Sequence, residues 1–168
     1  DDSYSINKTA GGSARTQVTD GSHTVTLGSS VEIITLKMGD GDDTVTVNDL
    51  KGVQGTLLAI YGENGDDTLT ADESRIGTVR TLFDGGDGND TLTGSIGNDS
   101  LFGGDGDDLL SAGDGHDTLE AGLGDDVLLG GLGSDVLKGE DGNDTLEGNT
   151  GHDSLVGGPG DDSLTGGY

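Results

Sequence analysis

The 168-residue sequence sets 33 Asp plus Glu against seven Lys plus Arg, a formal net charge of −26, and holds 35 glycines, one proline and 3% aromatics. So acidic a chain with so little apolar mass cannot offset conformational entropy and self-repulsion unaided, and such a composition belongs to disordered chains unless its charge is neutralised. It excludes a nucleic-acid partner, whose electrostatic footprint is basic, and the absence of cysteine excludes disulfides and Cys-ligated zinc or iron–sulfur centres.

No stretch approaches the ~20 apolar residues of a membrane span, and no charged-then-apolar leader opens the chain. The start at Asp1 without Met and the end at Gly166-Gly167-Tyr168, three residues into a repeat, point to a piece of a longer protein. Residues 1–19 read as an edge cap or a loose terminus. Tyr4 and Ile6 alternate with polar residues, which favours the cap. Beyond them there is no helical periodicity, and the glycine density forbids long helices. The predicted strands are Val25–Leu27, Val31–Leu36, Thr44–Val47, Thr56–Tyr61, Thr68–Thr70 and Thr78–Phe83, followed by one of two to three residues in every later repeat. The run from Asp20 reads as a degenerate first turn, with His23 where an Asp belongs.

From Gly85 to Thr165 a nine-residue unit repeats nine times without insertion or deletion. The first unit is GGDGNDTLT and the third GGDGDDLLS. The fourth position is always Gly, the sixth always Asp and the eighth always Leu. A fixed period marks a solenoid, here with turn, ligand and core assigned by position. Glycine lets the backbone turn through positive φ and bare its carbonyls. The Asp supplies a hard anionic oxygen, and the nine leucines face inward as two stacked ladders while the seventh residue points out. The same turn occurs earlier, at Gly39–Asp43 and at Gly62–Asp67, each after a strand whose last apolar residue lies seven before the Asp: Leu36, Ile60 and, before Asp90, Phe83. Residues 20–84 therefore form wide coils and 85–168 narrow ones, in which two nonapeptides close each coil of 18 residues. Carboxylates one coil apart, ~4.8 Å away, repel unless a cation lies between them. Ca²⁺, which takes six to eight oxygens at about 2.3–2.6 Å in adaptable geometry, suits such a place.

These units match GGxGxDxUx, and the sequence resembles the repeats-in-toxin (RTX) calcium-binding family. The resemblance implies an all-β, right-handed parallel β-roll with Ca²⁺ between successive turns. It also implies six ligands per ion. The earlier turn of each pair gives the carbonyls of positions two and four and its Asp; the turn one coil on gives the carbonyls of positions one and three and its Asp. On one side an ion takes Gly86, Gly88, Asp90, Gly103, Asp105 and Asp108. The next take Gly104, Gly106, Asp108, Ala121, Leu123 and Asp126, then Gly122, Gly124, Asp126, Gly139, Asp141 and Asp144. The last site of that side has Gly142, Asp144, Gly157, Pro159 and Asp162. On the opposite side the sets are Ser95, Gly97, Asp99, Ala112, Asp114 and Asp117, then Gly113, Gly115, Asp117, Gly130, Leu132 and Asp135, then Gly131, Gly133, Asp135, Gly148, Thr150 and Asp153. The wide coils add Gly39, Gly41, Asp43, Gly62, Asn64 and Asp67, and then Gly65, Asp67, Gly85, Asp87 and Asp90. The Asp series 43, 67, 90, 108, 126, 144, 162 is expected to form one continuous column and 99, 117, 135, 153 a shorter opposite one. Neighbouring pairs give six and three ions, and nine Ca²⁺ would bring −26 to about −8. Ser95, Glu140 and Asn149 at position two, and Ala112 and Ala121 at position one, weaken turn geometry without deleting a carbonyl.

Rival readings are weaker. An EF-hand needs a twelve-residue loop with a closing Glu and flanking helices, and a phosphate cradle needs a Lys and no flanking acids. His116 and His152, at the variable fifth position, are read as exposed, and the fifth-position Asp107, Asp125 and Asp161 as facing solvent. No HExxH, GxSxG or Cys–His arrangement is present, so no enzyme activity is expected in this chain. The first functional reading is a calcium-binding module of a secreted, type I-exported protein, extracellular or at the cell surface, folding on Ca²⁺ to serve secretion, spacing or adhesion, with other domains of a longer protein as its neighbours. The second is a carbohydrate-binding or catalytic β-helix of a polysaccharide-modifying enzyme, with Arg75 and Arg80 as its only hint.

Overall fold

A computed structural model describes residues 3–8, 16–19, 24–27, 33–47, 57–71 and 80–168. Asp20–His23 and Arg75 lie outside the described residues, as do Val31, Thr56 and Thr78 of the predicted strands. Every described element is a strand: β1 (Ser3–Lys8), β2 (Thr16–Thr19), β3 (Thr24–Leu27), β4 (Ile33–Asp40), β5 (Thr44–Val47), β6 (Leu57–Asn64), β7 (Thr68–Ala71), β8 (Arg80–Asp87) and β9 (Thr91–Thr93). The repeats continue with β10 (Ser100–Asp105), β11 (Leu109–Gly115), β12 (Thr118–Leu123), β13 (Val127–Gly133), β14 (Val136–Asp141), β15 (Thr145–Gly151), β16 (Ser154–Val156) and β17 (Ser163–Thr165). From β4 onward successive strands alternate between two sheets, so each coil contributes one strand to each, the arrangement of a parallel β-roll.

The seven-stranded sheet runs β16-β14-β12-β10-β8-β6-β4, all parallel. The ten-stranded sheet runs β17-β15-β13-β11-β9-β7-β5-β1-β2-β3. It is parallel from β17 to β1; β2 and β3 then add antiparallel pairings at its end. The strands of the repeats are longer than the two to three residues predicted, reaching six or seven in β10 to β15. The reason is that the ladder does not stop at the leucine. Positions two and three of successive coils stay in register through the corner, as Gly104 with Gly122 and Asp105 with Leu123.

The core is built on one file of apolar side chains per sheet, to which the wide coils add Met38, Val47, Leu58 and Ala71. In the seven-stranded sheet Leu36, Ile60, Phe83, Leu101, Leu119, Leu137 and Leu155 are in register, so the apolar residue of each wide coil continues the leucine ladder of the narrow ones. In the other, Val45, Leu69, Leu92, Leu110, Leu128, Leu146 and Leu164 line up. From Leu92 to Leu146 these leucines have no exposed surface. Leu155 is only partly buried and Leu164 is 46% exposed, as they sit on the edge strands β16 and β17 of the two sheets. The seventh residue points outward, as Leu109 at 41% and Val136 at 37% exposure demonstrate.

The corners explain the glycines. Gly88 has φ 133°, and a Cβ there would stand 2.2 Å from the Gly65 carbonyl oxygen of the preceding coil. Both the left-handed conformation and the close stacking of backbones exclude a side chain. Where position two is not glycine, Glu63, Glu140 and Asn149 still take φ of 79°, 74° and 67°, at a cost in strain.

Since each core leucine contacts only the coils on either side, truncation leaves a void that a stacked backbone cannot close. Leu119→Ala should cost about 2–5 kcal/mol, measured as the loss of unfolding free energy in denaturant with saturating calcium. A cost near zero would mean that the ladder does not form the core.

Candidate metal-binding columns

The sixth-position aspartates are buried except Asp153 and Asp162, which are partly so. Asp43, Asp67, Asp90, Asp99, Asp108, Asp117, Asp126, Asp135 and Asp144 are each at most 3% exposed, which is abnormal for a carboxylate. From Asp67 onward, one oxygen of each is accounted for. Asp108 Oδ1 accepts the backbone N–H of Asp90 at 2.7 Å, Asp126 Oδ1 that of Asp108 at 2.7 Å, and Asp144 Oδ1 that of Asp126 at 3.0 Å. The chain of bonds ends on Asp162 Oδ1, which accepts from Asp144 at 3.0 Å. It begins in the wide coils, where Asp67 Oδ1 accepts from Asp43 and Asp90 Oδ1 from Asp67, both at 2.7 Å. Asp43, Asp67, Asp90, Asp108, Asp126, Asp144 and Asp162 thus stand in one uninterrupted column despite the change of period. The opposite column links Asp99, Asp117, Asp135 and Asp153 in the same way, at 2.8, 2.9 and 3.0 Å.

The second oxygens are the chemical anomaly. Oδ2 of Asp67, Asp90, Asp108, Asp117, Asp126, Asp135, Asp144 and Asp153 is buried without a hydrogen-bond partner. Backbone carbonyls converge on the same places. A Cβ built on Gly85 would lie 2.0 Å from Asp90 Oδ2 and 2.7 Å from the Gly103 carbonyl oxygen, so both oxygens overlook one point. The same holds over Gly103, with Asp108 Oδ2 at 2.2 Å and the Ala121 carbonyl at 2.6 Å, and over Gly139, with Asp144 Oδ2 at 2.1 Å and the Gly157 carbonyl at 2.7 Å. Acceptors aimed at each other with no proton between them are unstable alone and fit a hard cation, for which an all-oxygen set is apt. Among the described residues no three or more His, Cys, Asp or Glu side chains converge as a metal cluster. Carbonyls must therefore supply most of any coordination shell.

The remaining carbonyls divide. Those of positions two and four aim along the roll, since Cβ atoms on Gly104 and Gly106 would lie 2.0 Å from the Gly86 and 2.1 Å from the Gly88 carbonyl oxygens. Those of position three are engaged in the ladder, as where Gly88 N–H donates to the Asp105 carbonyl at 2.8 Å.

One corner differs. Asp99 Oδ2 accepts from the backbone N–H of Ser95 at 2.6 Å and from its hydroxyl at 3.1 Å, so this carboxylate is satisfied within its own turn. Neither Ser95 nor Gly97 takes the left-handed conformation found at Gly86 and Gly88. Above it, Thr81 N–H donates to Asp99 Oδ1 at 2.7 Å, so Thr81 occupies the place of the next Asp of the column. The sequence reading passed over Thr81; its position 18 residues before Asp99 was the available signal.

The fifth position also does more than face solvent. Asp42, Asp66, Asn89, Asp107, Asp125, Asn143 and Asp161 are exposed, and the Oδ1 of each of the first six accepts the backbone N–H of the residue one coil on, between 2.8 and 3.1 Å. On the other corner Asn98 Oδ1 accepts from His116 at 3.1 Å, and His116 Nδ1 from Ser134 at 2.9 Å. His116 is therefore exposed but not idle.

A parallel roll with two files of buried, acceptor-only corners is a calcium-binding architecture in class. The pattern described as the RTX calcium-binding nonapeptide repeat matches residues 59–74 and the overlapping stretches 84–119, 102–137, 120–155 and 138–167. These cover more than half of the chain, and the chain belongs to that family of repeats, which bind calcium and are structural rather than catalytic. The match at 59–74 includes the wide-coil turn at Asp67. No curated protein and no solved structure matches the chain.

Burial pushes the carboxyls of Asp90, Asp108 and Asp117 up to about 7 and that of Asp126 to about 6, with neighbouring carboxylates adding to the rise. Asp67, Asp99, Asp135 and Asp144 move the same way, again mainly by burial. Since the folded values exceed the unfolded ~3.9, folding without metal takes up protons. That contribution is complete below the unfolded value and is lost as pH rises through 6–7. In EDTA, acidification from pH 8 to pH 5 should therefore increase the β signal in far-ultraviolet circular dichroism. A β signal that instead grew with rising pH would contradict the burial of these groups.

Proposed function

We propose that this chain is a calcium-folded module of a secreted protein, acting outside the cell or at its surface as a folding, spacing or adhesion-supporting element. Family membership supports the calcium; the unpartnered buried Oδ2 atoms carry the reading that folding depends on it. In this reading residues 1–19 cap the roll, 20–84 form its wide coils and 85–168 its narrow ones. The Asp pairs of the long column, from 43/67 to 144/162, hold ions together with carbonyls of positions one to four. Those of the short column do so at 117/135 and 135/153. The 99/117 pair is the weakest site, because Ser95 already supplies Asp99 with donors. Up to about nine ions, each a divalent charge set among carboxylates, would relieve most of the −26.

Low cytosolic calcium would keep such a chain unfolded during type I export, and higher calcium outside would fold it. Rigidity gained in this way suits a spacer between other domains. For the polysaccharide-enzyme reading, the hint that falls on the described residues is the exposed Arg80.

Circular dichroism in EDTA and then in millimolar Ca²⁺ tests the proposal. The expected result is a disordered spectrum becoming β-rich with Ca²⁺ and far less so with Mg²⁺, which demands strict octahedral geometry and keeps its waters. Asp108→Asn, which keeps the acceptor for Asp90 N–H but removes the charge, should raise the calcium midpoint; exposed Asp107→Asn should change it little. A chain fully β-structured in EDTA at neutral pH would refute the coupling.

A further inference from the structure

The outer faces of the two sheets differ in one of the two files of side chains that each presents. On β5, β7 and β9 the outward residues are Thr44 and Thr46, Thr68 and Thr70, Thr91 and Thr93, each pair flanking a fully buried Val45, Leu69 or Leu92. Register aligns them into two files, Thr44–Thr68–Thr91 and Thr46–Thr70–Thr93. The files continue over β11 and β13 as Leu109 and Val127, and as Ser111 and Leu129. From β5 to β17, Glu147 is the single charged residue in either file.

In the seven-stranded sheet one of the two files, Thr35, Ala59, Leu82, Ser100, Thr118, Val136 and Ser154, is likewise uncharged, but the other reads Lys37, Tyr61, Asp84, Phe102, Glu120, Lys138. Strand preference for Thr explains single threonines on an exposed face. It does not explain why, in a chain with 33 acids, both files of one face carry almost no charge while one file of the other face holds four charged residues. The uncharged face is also a grid. Outward side chains are ~6.6 Å apart along a strand and ~4.8 Å apart between strands. Both repeats lie close to oxygen spacings on faces of hexagonal ice. A threonine hydroxyl can take the place of a lattice water, its methyl orders the water beside it, and no charge draws that water into a competing shell. The closely packed files beneath keep the grid from moving.

We propose that the outer face of the ten-stranded sheet binds ice, with the six threonines of β5, β7 and β9 as the centre of contact. The inference rests on the calcium-dependent fold, which holds the files in register.

The test is the growth of single ice crystals in a nanolitre osmometer with the chain in millimolar calcium, its fold checked by circular dichroism. Faceted crystals and a gap between melting and freezing points are expected. Thr68→Lys, which plants a charge in the centre of the grid, should abolish both, and Ser100→Lys on the opposite sheet should keep both. If Thr68→Lys does not fold, Thr70→Lys replaces it, and the wild-type crystal habit still decides. Round, unshaped ice from a calcium-folded wild-type chain overturns the proposal while leaving the calcium reading intact. Adsorption to crystalline cellulose or chitin with unshaped ice overturns it as well, marking a glycan surface instead. A chain that stays unfolded in calcium overturns both readings.

Discussion

Each coil of this roll is joined to the next by a carboxylate with one oxygen in use and the other waiting. The Oδ1 atoms accept the backbone N–H of the preceding coil and set the register, while most Oδ2 atoms share a buried space with a carbonyl and have no donor. A positive charge there completes the joint; without it, like dipoles and charges face one another in a poorly solvated corner. The rest of the architecture is subordinate to that joint. Glycines at positions two and four let the carbonyls approach, and the single leucine per half-coil gives a core too thin to hold −26 of charge by itself.

The period, the corner residues and the core file were legible in the sequence because each is fixed by position. Leu36, Ile60 and Phe83 sit in the ladder with Leu101, and Asp43 and Asp67 stand in column with Asp90, as their seven-residue offset and the 24- and 23-residue steps implied. The number of residues between two corners can change without moving the corners themselves, since the additional residues enter between β5 and β6 and between β7 and β8.

What the sequence hid were interactions that depend on a neighbour one coil away or on backbone conformation. Ser95 looked like a mild departure at position two; in the fold it abandons the left-handed conformation and turns its amide and hydroxyl onto Asp99. Asp107 and Asp125 looked like diffuse surface charge; their side chains instead extend the hydrogen-bond ladder along the outside of the corner. The contrast between the two outer faces could be seen only after the strands had been assigned to sheets, because alternate repeats, identical in pattern, go to opposite sides. The inner positions of the repeat are fixed by folding, and the outer ones are free to differ, which is where distinct functions of the faces can reside.

The central claim is that the two columns of aspartate are cation sites, and anomalous diffraction from a crystal grown in calcium, collected where calcium scatters anomalously, tests it directly. The account expects peaks between successive carboxylates along the whole column from Asp43 to Asp162, and on the other side from Asp117 to Asp153. A folded roll with no anomalous peaks beside these carboxylates would contradict it.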